Sequence, residues 1–452
     1  MKSHLDAYRK DWLMFEEASH ALRGPEGLTG EEQRILESDF EAILVSGTQP
    51  RRHYHTIDHY RDVATAPSSV DEMGAHCSNL QEALHTHQLM EHYGFITQVM
   101  MRAGWHHDVV YAHIDETIHP TLTVVIAPFL LEQEGGYLLP PDPRAPDELR
   151  RIYDLALTLF GFHRGQPLDP FGGQNEFLSA LYGALQGAGM GLPLKCILAE
   201  MVMIEATIPF RLPSRVQALR ARLEIANRLL GPEGLQEPEI EALMLGAVFM
   251  ANHDVIGFRK PFEQFNRGSH QLLMEGAPTL QTPEGMFSAC MRLAHFLARV
   301  GTQEADGIAS VFHSYAGFPA QEVRDQWDRV AQINCEVQRD RMKSYAACAL
   351  LVAAAAMRQG HPAPASAPFS ELLADASLEP PDHIFPRPMH EIRLLLEKPD
   401  LGYLIDSRGA DTVFLKDRGA AEQILDGVRP VLLEEIMARL AMPHAKDNRH
   451  TG

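Results

Sequence analysis

Positive charge is scarce in this chain: 40 Lys and Arg stand against 60 Asp and Glu, a formal net charge of -20 over 452 residues. A surface of that sign repels a phosphate backbone and excludes wrapping of a nucleic-acid polymer, although a local basic pocket can still hold one phosphate. Long apolar runs are missing as well. The longest, Ala346 to Met357, is about twelve residues against the roughly 20 that span a bilayer, so no membrane segment is expected. The opening MKSHLDAYRKDW lacks the apolar core of a secretory signal. Cysteine is sparse and odd in number, and Cys77, Cys196, Cys290, Cys335 and Cys348 are widely spaced without metal-ligand spacing. That pattern suits reduced core thiols in a cytoplasmic protein rather than a disulfide framework.

Period-2 alternation is also rare, whereas apolar residues at i, i+3, i+4 and i+7 recur almost throughout. They predict helices over 12–22, 31–44, 95–105, 122–131, 147–160, 176–185, 194–208, 214–230, 237–249, 262–274, 283–300 and 320–357. The length suits two to three domains or one enlarged helical domain with appendages. A Pro/Ala stretch, QGHPAPASAP at 359–368, reads as an extended linker after a helical body at 1–358. Beyond it, 369–443 reads as a small α+β lobe with the one convincing hairpin signal between Leu404 and Phe414, and 444–452 as a disordered tail. The expected class is therefore all-α with a small C-terminal α+β lobe.

Histidine is abundant: of 23, eleven fall between His53 and His119. The first group, Arg52-His53-Tyr54-His55-Thr56-Ile57-Asp58-His59-Tyr60, enters a helix expected to start near Thr56. His55 and His59 share one helical face if the helix already includes position 55, an arrangement that can hold a metal or face one phosphate. The second, Trp105-His106-His107-Asp108-Val109-Val110-Tyr111, ends an apolar helix, where a His-Asp pair is costly to bury without a cation or hydrogen-bond partners. Three further polar groups interrupt apolar helices. Asn252-His253-Asp254 either ends its helix or supplies a ligand through Asp254. Glu205, followed by Pro209 and Arg211, needs a histidine, arginine or metal partner if buried, whereas Glu200 reads as solvent-facing. His270 lies on the last of these elements.

Arg-x-Tyr-His-x-x-x-His followed about fifty residues later by Trp-His-His-Asp-Val-Val-Tyr resembles the HD-domain superfamily, especially its predicted metal-dependent phosphohydrolase branch. The resemblance implies an HD-like helical core with added helices, in which His55, the His107-Asp108 doublet and a distant acid, Asp254, hold a divalent metal such as Fe, Mn, Zn or Mg, with His59 as an additional site residue. The 145 residues between Asp108 and Asp254 exceed what a compact HD domain needs. Glu205 and His270, taken with His55 and His59, are also similar in type and spacing to the phosphodiesterase domain of SidE-type effectors, which implies a histidine nucleophile and no required metal.

Both resemblances imply a phosphohydrolase or phosphodiesterase acting on a small phosphorylated substrate or a phosphodiester-linked adduct. In the metal version Glu205 or His270 handles the leaving-group proton. In the metal-free version His55 or His59 attacks phosphorus, His270 protonates the leaving oxygen and Glu205 orients a histidine or the incoming water. Arg211 and Arg52 are expected to stabilise the phosphoryl group. A non-catalytic helical scaffold or nucleotide-binding protein is the remaining reading.

Overall fold

The computed structural model describes residues 7–66, 79–115, 118–133, 136–170, 172–209, 214–275, 283–300 and 310–358. The linker at 359–368, the C-terminal lobe, its hairpin, the tail, Cys77 and Arg211 lie outside the described residues.

The chain forms α1 (Arg9–Arg23), α2 (Gly30–Gly47), α3 (Ile57–Ala64), α4 (Leu80–Thr86), α5 (Tyr93–His106), α6 (Ala112–Asp115) and α7 (Pro120–Ile126). A hairpin, β1 (Leu131–Gln133) and β2 (Gly136–Leu138), precedes α8 (Asp147–Phe160), α9 (Gln174–Gly189), α10 (Leu194–Ala206), α11 (Arg215–Leu230) and α12 (Glu237–Asp254). Then come α13 (Phe262–Glu275), α14 (Pro283–Arg299) and α15 (Gln321–Arg358). Among the described residues the fold is all-α apart from that hairpin, and no described helix is long and apolar enough to cross a membrane. Contacts divide the chain into two units: one runs to Ile256 and takes in Ser310–Asp328, and the other draws on 257–309 and on the chain from Arg329.

One expected helix is shorter than its periodicity suggested. The pattern over 122–131 yields α7 and a 3-10 turn, Ala127–Phe129, before β1 pairs antiparallel with β2 in the register Leu131 with Leu138 and Glu132 with Tyr137. Pro128 has no N–H to continue the α-helical ladder, which turns the chain out of the helix. The caps follow local rules: Thr29 and Glu32 close a capping box at α2, and α8 ends at Gly161 in the left-handed region.

In the first unit α5 is the central element, packed against α1, α3, α9, α10 and α12. Its Ile96, Val99, Met100 and Ala103 are fully buried, as are Ile197, Met201 and Ile204 of α10. Gly104 sets the spacing to α3: a Cβ there would lie 2.5 Å from the backbone of Ala64. That close approach brings the face of α3 carrying His59 onto the C-terminal end of α5. Cys196, Cys290 and Cys335 are buried.

Candidate metal centre

Three helices meet at the site. The end of α5 delivers His107 and Asp108, the first turn of α3 delivers His59, and Asp254 is the last residue of α12. The carbonyl ends of α5 and α12 carry partial negative charge, which favours a cation. The Nε2 atoms of His59 and His107 face each other at 3.2 Å. Asp108 Oδ2 lies 2.9 Å from His107 Nε2, and Asp254 Oδ1 lies 3.1 Å from His59 Nε2 and 3.4 Å from His107 Nε2. One ligand atom from each of the four residues falls within 4.8 Å of all the others. Tetrahedral ligands at about 2.0–2.2 Å from a cation stand roughly 3.4 Å apart, so the set is close to the spacing a small divalent ion imposes.

The donor chemistry fits as well. His107 Nδ1 lies 2.8 Å from the Gly104 carbonyl, which can only accept, so Nδ1 carries the proton and a neutral His107 points its Nε2 lone pair into the cluster. Burial pushes the His107 imidazole towards the neutral form, but Asp108 and then Asp254 reverse this and hold its pKa well above the ordinary value. His59 is raised in the same way, against its burial, by Asp108 and Asp254. Burial would raise both carboxylates, yet the histidines hold Asp108 well below its usual range and Asp254 at about 2. The two carboxylates therefore create a field that favours positive charge between them, whether protons or a metal supply it.

His55 stands beside this set. The helix begins at Ile57 with Thr56 as its cap, so His55 and His59 are not on one helical face as position 55 in the helix would require. His55 Nε2 is 3.8 Å from Asp108 Oδ2, and its ring sits edge-on to Tyr111 with centroids 4.4 Å apart. His59, and not His55, joins the set of four donors, because the first turn of α3, not the segment before it, faces α5. Tyr54 lies against both imidazoles.

Among the described residues, the other expected site residues are not members of this set of four. Glu205 is buried at the end of α10 and ion-paired with Arg222 of α11 at 2.6 Å, the arginine partner its burial requires. His270 is buried in the second unit, with Nδ1 2.7 Å from the Asn266 carbonyl. Neither belongs to the four-residue cluster. Glu200, expected to face solvent, has no exposed surface. It lies on the inner face of α10, where it meets Arg102 and His106 of α5. Arg52, expected as a phosphoryl clamp, is buried with its guanidinium turned towards Asp115 and the main chain of Asp108 and Val109.

Behind the site lies a second polar group that the sequence reading missed. His106 Nδ1 is 2.6 Å from Glu200 Oε1, and its Nε2 is 3.2 Å from Asp39 Oδ1. Arg102 Nε donates to Glu200 Oε2 at 3.1 Å, its Nη1 donates to Ser19 at 2.7 Å, and its Nη2 faces Asp39 Oδ2 at 3.8 Å. Gly183 is part of this packing, since a Cβ there would come 2.9 Å from Glu200 Oε1. The signal in the sequence was Arg102 and Glu200 lying within apolar helical faces, the same pattern that drew attention to Glu205.

Compared with protein-family models, curated proteins and solved structures, the chain matches none.

Proposed function

We propose that the chain is an HD-type phosphohydrolase or phosphodiesterase that hydrolyses a phosphoester of a small phosphorylated substrate at a divalent metal held by His59, His107, Asp108 and Asp254. The observation that carries this reading is the convergence of those four donors, with the His107 Nε2 lone pair directed inward by the hydrogen bond at Nδ1. A bound divalent cation supplies Lewis acidity to a phosphoryl oxygen and brings the pKa of water towards neutrality. The protein's own part is to hold the donors rigid and partly exclude water, since His59, Asp108 and Asp254 side chains retain only 10–15% of their exposure. His55 and Tyr111 stand at the rim, within reach of a substrate oxygen entering beside Asp108. The charge of a bound cation would be what lets a chain of charge -20 admit an anion at this site. Buried thiols support a reducing, cytoplasmic setting.

The metal-independent alternative needs Glu205 and His270 beside the histidines. The pairing of Glu205 with Arg222 gives that carboxylate a structural role, so the metal reading is favoured. The experiment is Mn2+ titration of the full-length protein by calorimetry, together with hydrolysis of a generic aryl phosphodiester before and after chelation. Near-stoichiometric binding, chelator-sensitive hydrolysis and loss of both in His107→Ala are expected. Full activity in chelated protein would overturn the metal mechanism in favour of the histidine nucleophile. Metal binding without turnover on a broad phosphoester panel would leave a binding protein or scaffold.

A further inference from the structure

The residue expected to clamp phosphate has every donor occupied inside the protein. A guanidinium has five N–H donors. Arg52 Nε and Nη2 donate to the two oxygens of Asp115 at 3.0 and 2.6 Å, Nη2 donates to the Val109 carbonyl at 3.3 Å, and Nη1 donates to the Asp108 carbonyl at 2.8 Å and to the Tyr60 hydroxyl. All five are thus used, and the side chain has no exposed surface. Nothing remains to meet a substrate oxygen.

The acceptors matter as much as the donors. Asp108 and Val109 lie just past the end of α5, where main-chain carbonyls lose their helical partners and need others. Tyr60 donates to the Asp108 carbonyl at 2.8 Å and Ser46 donates to the Val109 carbonyl at 2.5 Å, so α2 and α3 both grip this turn, with Arg52 bridging them to Asp115. The Asp108 carbonyl carbon is bonded to the same Cα that carries the carboxylate, so fixing this carbonyl and the next one restrains the backbone from which the Asp108 side chain leaves.

We propose that Arg52 is a positioning residue: with Asp115 as its counter-ion it holds the main chain that presents Asp108 to the cation, and it makes no contact with substrate. The affinity part of this inference rests on the metal reading above, while the main-chain part stands without it.

Two measurements on the full chain test it. The first is hydrogen exchange of the metal-free protein over residues 107–115, and the second is the Mn2+ dissociation constant. Arg52→Lys keeps the charge but cannot reach both carbonyls and Asp115 together. It should speed exchange in that segment by about 10-fold or more, since local opening depends on such bonds. It should also weaken Mn2+ binding by about 10- to 100-fold, the usual effect of losing a group that orients a ligand. Tyr60→Phe, which removes one donor from the same turn, should move both readouts in the same direction by less, and it serves if Arg52→Lys does not fold. Arg164→Lys, a change in an exposed pair with Asp154, should move neither. Unchanged exchange in both variants overturns the proposal. Faster exchange with unaltered Mn2+ affinity overturns the link to Asp108. A wild-type protein that binds no Mn2+ while Arg52→Lys still speeds exchange overturns the metal reading and leaves the main-chain role standing.

Discussion

His106 and His107 are adjacent, lie together at the end of α5, and enter two clusters built from the same residue types. The inner cluster, Asp39, Arg102, His106 and Glu200, has no exposed side-chain surface. Both nitrogens of His106 face carboxylates, so both carry protons. Burial would drive them off, but Asp39 and Glu200 raise the pKa to about 9. Two positive groups then balance two negative ones, and Arg102 fills the place a cation would take. The outer cluster also has two carboxylates, but its imidazoles meet at their Nε2 atoms and it contains no arginine. Arg52 feels the Asp108 charge from behind but is itself paired with Asp115, so within the cluster the balance comes from protonation or from a metal. One arginine thus separates a closed structural network from a site that can bind a cation.

The same acid-to-amide change in each cluster is the sharpest way to break this contrast. Glu200→Gln leaves Arg102 and His106 facing Asp39 alone, an uncompensated buried charge, and should cost about 3–5 kcal/mol of stability by urea denaturation. A loss below about 1 kcal/mol would show that the inner network does not need its charge balance. Asp254→Asn should instead spare most of the stability and weaken Mn2+ binding by at least about 100-fold, because a ligand is lost rather than a counter-ion. Equal effects of the two substitutions on both readouts would erase the distinction between the clusters.

Gly104→Ala sits between the two clusters and tests the geometry that separates them. Its Cβ would meet the Ala64 backbone at 2.5 Å, so α3 must move from α5, and overpacking of this kind costs about 1–3 kcal/mol. Because α3 carries His59 but no member of the inner network, Mn2+ affinity should fall along with stability. Affinity equal to wild type would mean that the site tolerates a shift of α3.

Much of this was legible from residue patterns. The helices follow apolar periodicity closely, and His107, Asp108 and Asp254 stood out as polar residues ending apolar elements. The exchange of His55 for His59 was not legible, because i and i+4 residues share a face only inside a helix, and whether Thr56 or an earlier residue caps α3 depends on how the chain leaves α2. Glu200 was misread because periodicity alone does not say which helix faces it. In a helix whose residues 196–205 are all buried, every polar side chain is internal, and only the tertiary neighbours Arg102 and His106 reveal its partners. Arg52 was assigned to phosphate from its residue type, whereas Asp115, its actual partner, lies 63 positions away with no motif to announce it.

The smallest expected effect concerns acid. Burial would raise the Glu200 carboxyl, but Arg102 and then His106 outweigh it and hold its pKa at about 2, below the ordinary 4.5. A lowered folded-state pKa contributes stability that is present above about 4.5 and is lost as pH falls towards 2. The outer carboxylates titrate in the same direction, so acid denaturation of the wild type alone would mix the two clusters. Glu200→Gln removes only the inner contribution. Below the histidine range, from about pH 5.5 downwards, the stability gap between wild type and this variant should therefore shrink, by roughly 1.4 kcal/mol by about pH 3.5, one pKa unit below the unfolded value. A gap that stays constant to pH 3 would mean that the Glu200 carboxyl titrates alike in the native and unfolded states, and the inner network would then not be the closed set of charges that distinguishes it from the outer one.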